Sequence, residues 1–437
     1  MNKSQTKFVL MALALCLVLS SVVFAAGSKE SENDGIVLST YLQIDPANPQ
    51  QQGYVEMQAA FEASRPDITF KHEYATGEAF HQKFQAMVAS RELPDVFTTY
   101  IGKRTAYVTE TGNALDLNTY LTDDFKKQFS DATWESQGPN GEIYTIAPSM
   151  AVCHAMYVNT DLLKEIGLEI PTTYEELLDQ VQPIRDAGYY PISMGNKDQW
   201  VVNSWLLSAF VDRMGGKTWF NKAMTGSASF TDAPFVKSLE IINEMVQKNV
   251  FSPGVNQMSN TEADQEFYQQ KSVYLIDAGW RTSAMVTTLP QEQQDAIEMI
   301  VFPALPGEVQ SNSSAAVLSE GFGINAKLGG TPEGQAAFDF IAYYTGEEGA
   351  SIRLKNGEIP TYKLDYSGLD LPGLQLKYAE FQQNHPMGYV IDAKMDGEGM
   401  GILNPDIQAM MFGNLTPDEV ASRYEAWVKD NDSNRDK

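Results

Sequence analysis

The sequence predicts an α/β protein with mostly parallel sheets that carry helices on both faces. Short apolar strands alternate with amphipathic helices from about residue 36 onward, and this alternation is typical of such sheets. With 437 residues, the chain is also long enough to favour two or more domains. Sheets of this kind bind ligands at the carboxyl ends of their strands, so a site is expected at that edge.

The first elements are expected in the order β-α-β-α-β. Apolar spacing marks them in turn as a strand at 36–40, a helix through Tyr54, Met57 and Phe61, a strand at 68–71, a helix through Phe80, Phe84 and Met87, and a strand that opens at 94–97. Each helix joins two strands, which predicts a parallel arrangement.

Residues 1–25 are predicted to be a secretory signal peptide. Two lysines precede an apolar run at 8–19, and the small residues Val23 and Ala25 stand before the cleavage site. A retained membrane anchor is the alternative, but the run is short for that role. Lipid attachment at Cys16 is a further alternative; it is not favoured, because the preceding Leu15 is not a small residue. We therefore expect export to the periplasm or another extracytoplasmic space.

The chain is strongly acidic, with a formal net charge of −26. Loss of residues 1–25 would remove two lysines and no acid, which brings the charge to −28. Such a field repels nucleic acid and anionic membrane surfaces, so neither is expected as a partner. The exported chain would keep Cys153 as its one cysteine, which excludes an internal disulfide. We expect it to act as a monomer.

The segment at 140–177 carries the most informative motifs. It contains the turn Asn140-Gly141, a strand ended by Pro148, an apolar run at 155–158 with an Asn/Asp helix start, and Ile-Pro-Thr-Thr at 170–173. The order of these pieces resembles the extracellular solute-binding proteins of bacterial ABC importers. The similarity is to the large, maltose-binding-protein-like family 1, which takes up sugars and oligosaccharides.

Further similarities to this family extend over most of the chain after the predicted signal peptide. They lie at 94–97, at a strand and tryptophan at 271–280, at 303–307, at 320–326, at a helix and turn at 337–350, and at 357–361. The chain also departs from the family pattern. Tyr174 stands where tryptophan is usual and Ser272 where alanine is commoner, and Val273 and Tyr274 replace small residues.

The resemblance implies a two-lobed periplasmic-binding-protein fold, in which each lobe is a mostly parallel sheet flanked by helices. It implies a three-segment hinge, with crossings between the lobes near 149–152, 301–303 and 345–349. The N-terminal lobe would comprise 36–149 with 302–346, and the C-terminal lobe 150–301 with 347–437. A substrate cleft would lie beside the first crossing, at 149–153.

Sugar binding in such a cleft would combine stacking on aromatic rings with hydrogen bonds to hydroxyl groups. Trp280 is the leading candidate, because it follows a buried strand and matches a family position. The other candidates are Tyr41 and Gln43 after the first strand, Thr99 and Tyr100 after the third, Trp200 and Trp205 after the strand at 190–194, and Glu320 near the expected cleft floor. Core packing remains the alternative for each tryptophan, and a solvated strand end for Glu320.

The expected function is that of a non-enzymatic carrier, which closes its lobes on a carbohydrate and delivers it to the membrane permease of an ABC importer. A secreted carbohydrate-active enzyme is the alternative, but the sequence shows no motif for the carboxylate pair that it would need. Arg104 and Arg281, the cations nearest the predicted cleft loops, leave open a phosphorylated or acidic sugar or another small solute. The scattered histidines show no paired zinc spacing, so neither metal nor cofactor is expected.

Overall fold

The computed structural model describes residues 35–47, 51–101, 105–135, 137–138, 140–355, 358–366, 371–395 and 397–431. The predicted signal peptide at 1–25, with Cys16, and the cation Arg104 lie outside these residues. Within the described ranges, no helix has both the length and the apolar character needed to cross a bilayer.

The described strands are, in chain order, β1 Ile36–Leu42, β2 Ile68–Tyr74, β3 Val96–Thr99, β4 Ser149–Val152, β5 Ala155–Asn159, β6 Tyr190–Ser193, β7 Ser272–Asp277, β8 Ile297–Ile300, β9 Ser314–Leu318, β10 Gly321–Ile324, β11 Ile359–Pro360 and β12 Met387–Tyr389. The first three strands coincide with the predicted ones, and the helices between them lie where the apolar spacing places them.

The described α-helices are Gln52–Ser64, Gly77–Ser90, Ala106–Glu110, Asp123–Lys127, Thr160–Ile166, Tyr174–Asp186, Trp200–Val202, Ser208–Met224, Ala233–Gln247, Asn260–Tyr268, Arg281–Thr288, Gln291–Asp295, Pro332–Thr345, Glu347–Lys355, Gly373–Asn384, Ile391–Lys394, Gly397–Met411 and Pro417–Asn431. Short 3-10 helices occupy Leu117–Thr119, Asp131–Trp134 and Ala326–Leu328, and a π-helical turn occupies Asn203–Leu207. Local chemistry sets the boundaries, as where Thr173 and Glu176 form a capping box at the start of Tyr174–Asp186.

The first lobe, as we use the term, is the sheet β10-β3-β1-β2 with the helices packed on it. β1 is parallel to β2 and β3, whereas β10 is antiparallel to β3. The chain reaches β10 directly from β9, without a helical crossover, and so runs against its neighbours. Leu38, Val96, Phe340 and Ile341 belong to the fully buried core of this lobe.

The second lobe is the sheet β6-β7-β5-β8 with its helices. β6 is parallel to β7, and β5 is antiparallel to both β7 and β8, so β6, β7 and β8 share one direction. β5 follows β4 after two residues, which explains its reversal in the same way as that of β10. Each lobe therefore has three strands in one direction and one reversed, and the predicted α/β class is confirmed.

A third sheet, here called the crossing sheet, has the order β11-β4-β9-β12. β4 is antiparallel to both β9 and β11, and β12 is parallel to β9. Phe302 lies in the buried core of the second lobe, whereas Phe322 lies in that of the first. This distribution favours β9, rather than 301–303, as the second crossing between the lobes. The exact lobe boundaries stay a prediction.

A buried arginine holds the segment after β8 against the second lobe. Arg213 is 1% exposed and forms an ion pair with Glu308, whose side chain is 8% exposed, with 2.8 Å between Nη2 and Oε2. Its Nη1 also donates to the backbone carbonyls of Phe302 and Pro303. Removing one member of such a pair leaves the other charged in a site without water, which is costly.

We expect Arg213→Met to lower the free energy of unfolding by about 3–5 kcal/mol, because Glu308 would then be buried and uncompensated. Urea unfolding followed by tryptophan fluorescence measures the loss. Arg423→Met is the matched control, since Arg423 also pairs with a carboxylate, Asp406, at 2.7 Å but is 58% exposed. Equal losses in the two variants would contradict a special role for the buried pair.

Candidate functional site

A cavity of about 250 Å³ lies where the two lobes meet the crossing sheet. The first lobe contributes Gln43 and Thr98, β4 contributes Met150, and Trp280 follows β7 of the second lobe. Because these residues come from both lobes and from the crossing sheet, the shape of the cavity depends on how the lobes are oriented.

Three of the residues predicted from the sequence line this cavity: Gln43, Trp280 and Glu320. Tyr100 is not among the lining residues, but it supports one of them, since its hydroxyl donates to Oε1 of Gln43 at 2.7 Å. The backbone N–H of Gln43 donates to Oγ1 of Thr98 at 3.0 Å, which fixes the chain as it leaves β1. The amide of Gln43 is thus held in place at the cavity edge before any ligand arrives.

Tyr41 and Thr99 do not reach the cavity, contrary to the sequence expectation. Tyr41 is fully buried and stacks on Phe80 with 4.8 Å between ring centroids. Thr99 is buried and donates its hydroxyl to Thr105. Both residues lie inside their strands rather than beyond them, and strand side chains alternate between faces. The adjacent Thr98 therefore lines the cavity in place of Thr99.

The two other candidate tryptophans belong to the core of the second lobe. Trp205 is fully buried within the π-helical turn Asn203–Leu207. Trp200 packs against the same core and meets Trp205 edge to face, with 5.6 Å between ring centroids. The core-packing alternative is thus the correct one for Trp205, and Trp200 does not line the described cavity.

Trp280 stands out because it is a large apolar residue with 41% of its surface exposed. A buried charge cluster holds the turn that carries it: Arg281 contacts Asp264 at 2.8 Å and Asp277 at 2.9 Å. Burial, followed by the neighbouring charge of Asp277, raises the pKa of Asp264. Arg281, named from the sequence as one of the two cations nearest the predicted cleft loops, is therefore committed to two acids.

Gly279 makes room for this turn. A Cβ at this position would lie 2.1 Å from ring atoms of Tyr378, so only glycine fits between β7 and that ring. Tyr378 in turn places its hydroxyl near the backbone of Val152 in β4 and lines the cavity. Packing against Tyr378 thus sets the path of the chain after β7. On this path the indole of Trp280 faces the cavity.

Sequence reasoning missed Arg353 and Glu358, which lie close together in the wall of the cavity. Arg353 is 2% exposed, and its guanidinium lies between the rings of Tyr54 and Tyr344, at 4.9 and 4.6 Å from their centroids. Its Nη1 donates to the carbonyl of Tyr344 at 2.8 Å, and its Nε lies 3.7 Å from Oε2 of Glu358. Tyr54 is far from Arg353 in the chain, and Tyr344 and Glu358, although close to it in sequence, form no recognisable motif with it.

A second, smaller cavity of about 70 Å³ lies beside β9 and β12. Lys217 and Lys394 both approach the ring of Tyr389, at 4.8 and 4.5 Å from its centroid. Lys394 also forms an ion pair with Glu135, with 3.3 Å between Nζ and Oε2. Glu135 directly follows Trp134, which packs on the core of the first lobe, so this pair joins one lobe to the other.

Within the described part of the chain, no three His, Cys, Asp or Glu side chains cluster closely enough to hold a metal ion. Cys153 is a buried free cysteine, and burial raises the pKa of its thiol. The adjacent His154 is also fully buried, and desolvation lowers its pKa to about 3. This thiol and imidazole are therefore closed to solvent and unsuited to nucleophilic catalysis.

Comparison with known proteins assigns the family. Residues 47–351, more than half of the chain, match the model of the bacterial extracellular solute-binding proteins. The chain belongs to this family. The predicted family is therefore confirmed, and family members are binding proteins rather than enzymes.

Curated relatives are distant but consistent with this family. A multiple sugar-binding protein of Streptococcus mutans is 22% identical over 348 residues, covering 75% of this chain and 76% of that one. A protein of Brucella abortus described as a binding protein is 24% identical over 241 residues, covering 54% of this chain and 57% of that one. The chain thus spans only a little over half the length of this second relative.

Solved structures share the fold. A chain from a study of xylan utilization by Caldanaerobius polysaccharolyticus aligns with a TM-score of 0.76 at 22% identity, covering 90% of this chain and 100% of that one. A chitin oligosaccharide binding protein aligns with a TM-score of 0.75 at 20% identity, covering 91% and 99%. These likenesses confirm the predicted two-lobed solute-binding fold.

The carboxyl of Glu358, whose side chain is 34% exposed, is desolvated where it meets the cavity wall and gives that wall a pH dependence that can be measured. Desolvation raises its pKa from the ordinary 4.5 to about 8, so the folded protein holds a proton that the unfolded chain releases. The resulting stabilisation of the folded state is complete below pH 4.5 and is lost as the pH rises through about 8. The unfolding temperature of the native protein should therefore fall relative to that of Glu358→Gln across this window.

Thermal unfolding of both proteins at a series of pH values provides the test. Glu292→Gln is the control, because Glu292 is exposed in the helix Gln291–Asp295, and its curve should run parallel to that of the native protein. A Glu358→Gln curve that also runs parallel would show that Glu358 titrates normally.

Proposed function

We propose that this protein is an extracytoplasmic carrier, which captures a carbohydrate between its lobes and delivers it to the permease of an ABC importer. The observation that carries the proposal is the indole of Trp280, which is 41% exposed and lines the cavity where the lobes meet, together with polar side chains. Sugar rings have apolar C–H faces that stack on such an indole, and their hydroxyl groups would bond to Gln43, Thr98 and Glu320.

The proposal extends to where the carrier acts, how many copies it needs and where it bends. Export through the signal peptide at 1–25 fits the family, whose members act outside the cytoplasm. A lipoprotein of Bacillus subtilis among the relatives keeps lipid attachment at Cys16 as the less favoured alternative. We propose that the carrier acts as a monomer, with the crossings near β4, at β9 and between the helix Glu347–Lys355 and β11 as its hinge.

A secreted glycosidase remains the second candidate, because Glu320 and Glu358 both line the cavity. Hydrolysis needs one carboxylic acid and one carboxylate on opposite sides of the scissile bond. Both glutamates instead approach the same guanidinium, since Glu358 lies 3.7 Å from Arg353 and the charge of Glu320 also acts on it. Incubation with oligosaccharides distinguishes the two functions: release of shorter sugars would support the enzyme, and binding without turnover the carrier.

Trp280→Ala should weaken sugar binding about tenfold or more, because an aromatic contact contributes about 0.5–1.5 kcal/mol beyond its buried area, and that area adds about 25 cal/mol per Å². Binding is measured by isothermal titration with the best ligand from a thermal-shift screen of mono- and oligosaccharides. The unfolding temperature should change little, since Trp280 is 41% exposed.

Phe412→Ala is the matched control for Trp280→Ala. Phe412 is also a large apolar residue, 51% exposed, but it does not line the cavity. Its removal should leave the affinity unchanged. If Trp280→Ala kept full affinity while its unfolding temperature dropped sharply, the indole would be a packing residue and not a ligand contact.

Ligand should also close the lobes. Only a closed form brings Trp280 and Gln43 onto one ligand from opposite sides, so the ligand stabilises that form. We therefore expect saturating sugar to reduce the radius of gyration measured by small-angle X-ray scattering. Identical scattering curves with and without the sugar would leave a static pocket and exclude hinge closure.

A further inference from the structure

The charges around the cavity limit the kind of sugar that it can accept, an inference that rests on the proposed carbohydrate-binding function. One arginine and two glutamic acids line the cavity: Arg353, Glu320 and Glu358. A sugar with a carboxylate or a phosphate would need a cation with free N–H donors, and the described part of the chain shows how far Arg353, Arg281 and Lys394 are already engaged.

Arg353 is the only cation among the described residues that line the cavity. The rings of Tyr54 and Tyr344 cover its guanidinium, and Nη1 already donates to the carbonyls of Tyr344 and Gly349. Bidentate binding of an anion needs two parallel N–H groups from one edge of the guanidinium. With Nη1 engaged and the edge at Nε facing Glu358, that geometry is not open to a ligand.

Two cations outside the cavity, among the residues that the structure describes, are engaged as well. Arg281 follows Trp280 in the chain, but it is 14% exposed and forms ion pairs with Asp264 and Asp277. Lys394, beside the second cavity, pairs with Glu135. Neither side chain can turn toward a ligand without leaving an acid uncompensated, and for the buried acids at Arg281 that loss is severe.

Glu320 is placed differently. Its carboxylate lines the cavity, and among the described residues no side chain forms an ion pair or a hydrogen bond with it. Its charge acts on Arg353, so the two residues balance each other electrostatically. A sugar hydroxyl or a protonated amine can donate to this carboxylate, whereas an anionic group would meet a like charge at close range.

We propose that the cavity selects neutral and amino sugars against sugars that carry a carboxylate or a phosphate, and that Glu320 determines this specificity. The net charge of −26 acts in the same direction at longer range, because it lowers the local concentration of anionic sugars around the whole protein. Removing the charge of Glu320 would remove the like-charge repulsion of an anionic sugar and would weaken the preference for neutral and amino sugars.

The test uses matched disaccharides of the gluco and galacto series in neutral, amino-sugar and uronic-acid forms, with affinities from isothermal titration. The native protein should bind a neutral or amino form more tightly than the uronic acid of the same series. In Glu320→Gln the ratio of uronic-acid to neutral affinity should rise by about tenfold or more, because a like charge at close range in an interface costs several kcal/mol.

Two further variants serve as controls. Glu292→Gln removes an equal charge from the surface and should leave the ratio unchanged, which separates the local effect from that of net charge. Glu358→Gln changes a carboxyl in the same cavity, and it should raise the ratio less than Glu320→Gln does. Thermal unfolding confirms that each variant is folded.

The outcomes separate the inference from the function on which it rests. Tight binding of a uronic acid by the native protein, an unchanged ratio in Glu320→Gln, or an equal rise in Glu358→Gln would overturn the role of Glu320 and leave a sugar carrier. Failure of every sugar to bind, including the oligosaccharides of the wider screen, would overturn the proposed function itself.

Discussion

The pairing of β4 with β9 and β11 in the crossing sheet is the constraint on which the rest of this structure depends. β4 leads into β5, and β9 leads into β10, so the two reversed strands of the lobes start from adjacent strands of one sheet. Because backbone hydrogen bonds hold β4 and β9 side by side, the lobes cannot slide past each other without breaking that ladder. Rotation about the crossing sheet is the movement that this ladder permits, and the proposed closure of the lobes on a ligand would use it.

Much of this fold could be predicted from the sequence, because it follows from local patterns. The spacing of Tyr54, Met57 and Phe61 fixes a helix without knowledge of its partners, and the turn signals before Pro148 fix the approach to β4. The position of the second crossing was harder. The segment at 301–303, the predicted second crossing, follows a strand and precedes a proline-rich turn. The buried contacts of Arg213 with the carbonyls of Phe302 and Pro303 favour its assignment to the second lobe, and the lobe boundary stays a prediction. Those contacts join residues about 90 positions apart, which no local pattern reveals.

The candidate site could be predicted only in part, for a related reason. Gln43 and Trp280 were found because the carboxyl ends of strands face the cavity. Tyr41 and Thr99 were placed there wrongly, since a shift of one residue along a strand turns a side chain to the opposite face. Arg353 escaped notice because its position depends on packing between the rings of Tyr54 and Tyr344, and Tyr54 belongs to a helix far away in the chain.

The neighbours Trp280 and Arg281 show how the chain separates recognition from support. Their side chains start from consecutive positions, yet the indole is exposed, while the guanidinium is buried against two acids. A helix begins at Arg281, so the two side chains leave the backbone about 100° apart, and Gly279 allows the preceding turn to pass close to Tyr378. The ion pairs of Arg281 with Asp264 and Asp277 therefore hold the turn that carries the indole. Because these ion pairs are excluded from water, they are strong, and for the same reason they cannot bind a ligand. The exposed surface of the site therefore consists of aromatic, amide, hydroxyl and carboxylate groups, which suit a polyhydroxylated solute.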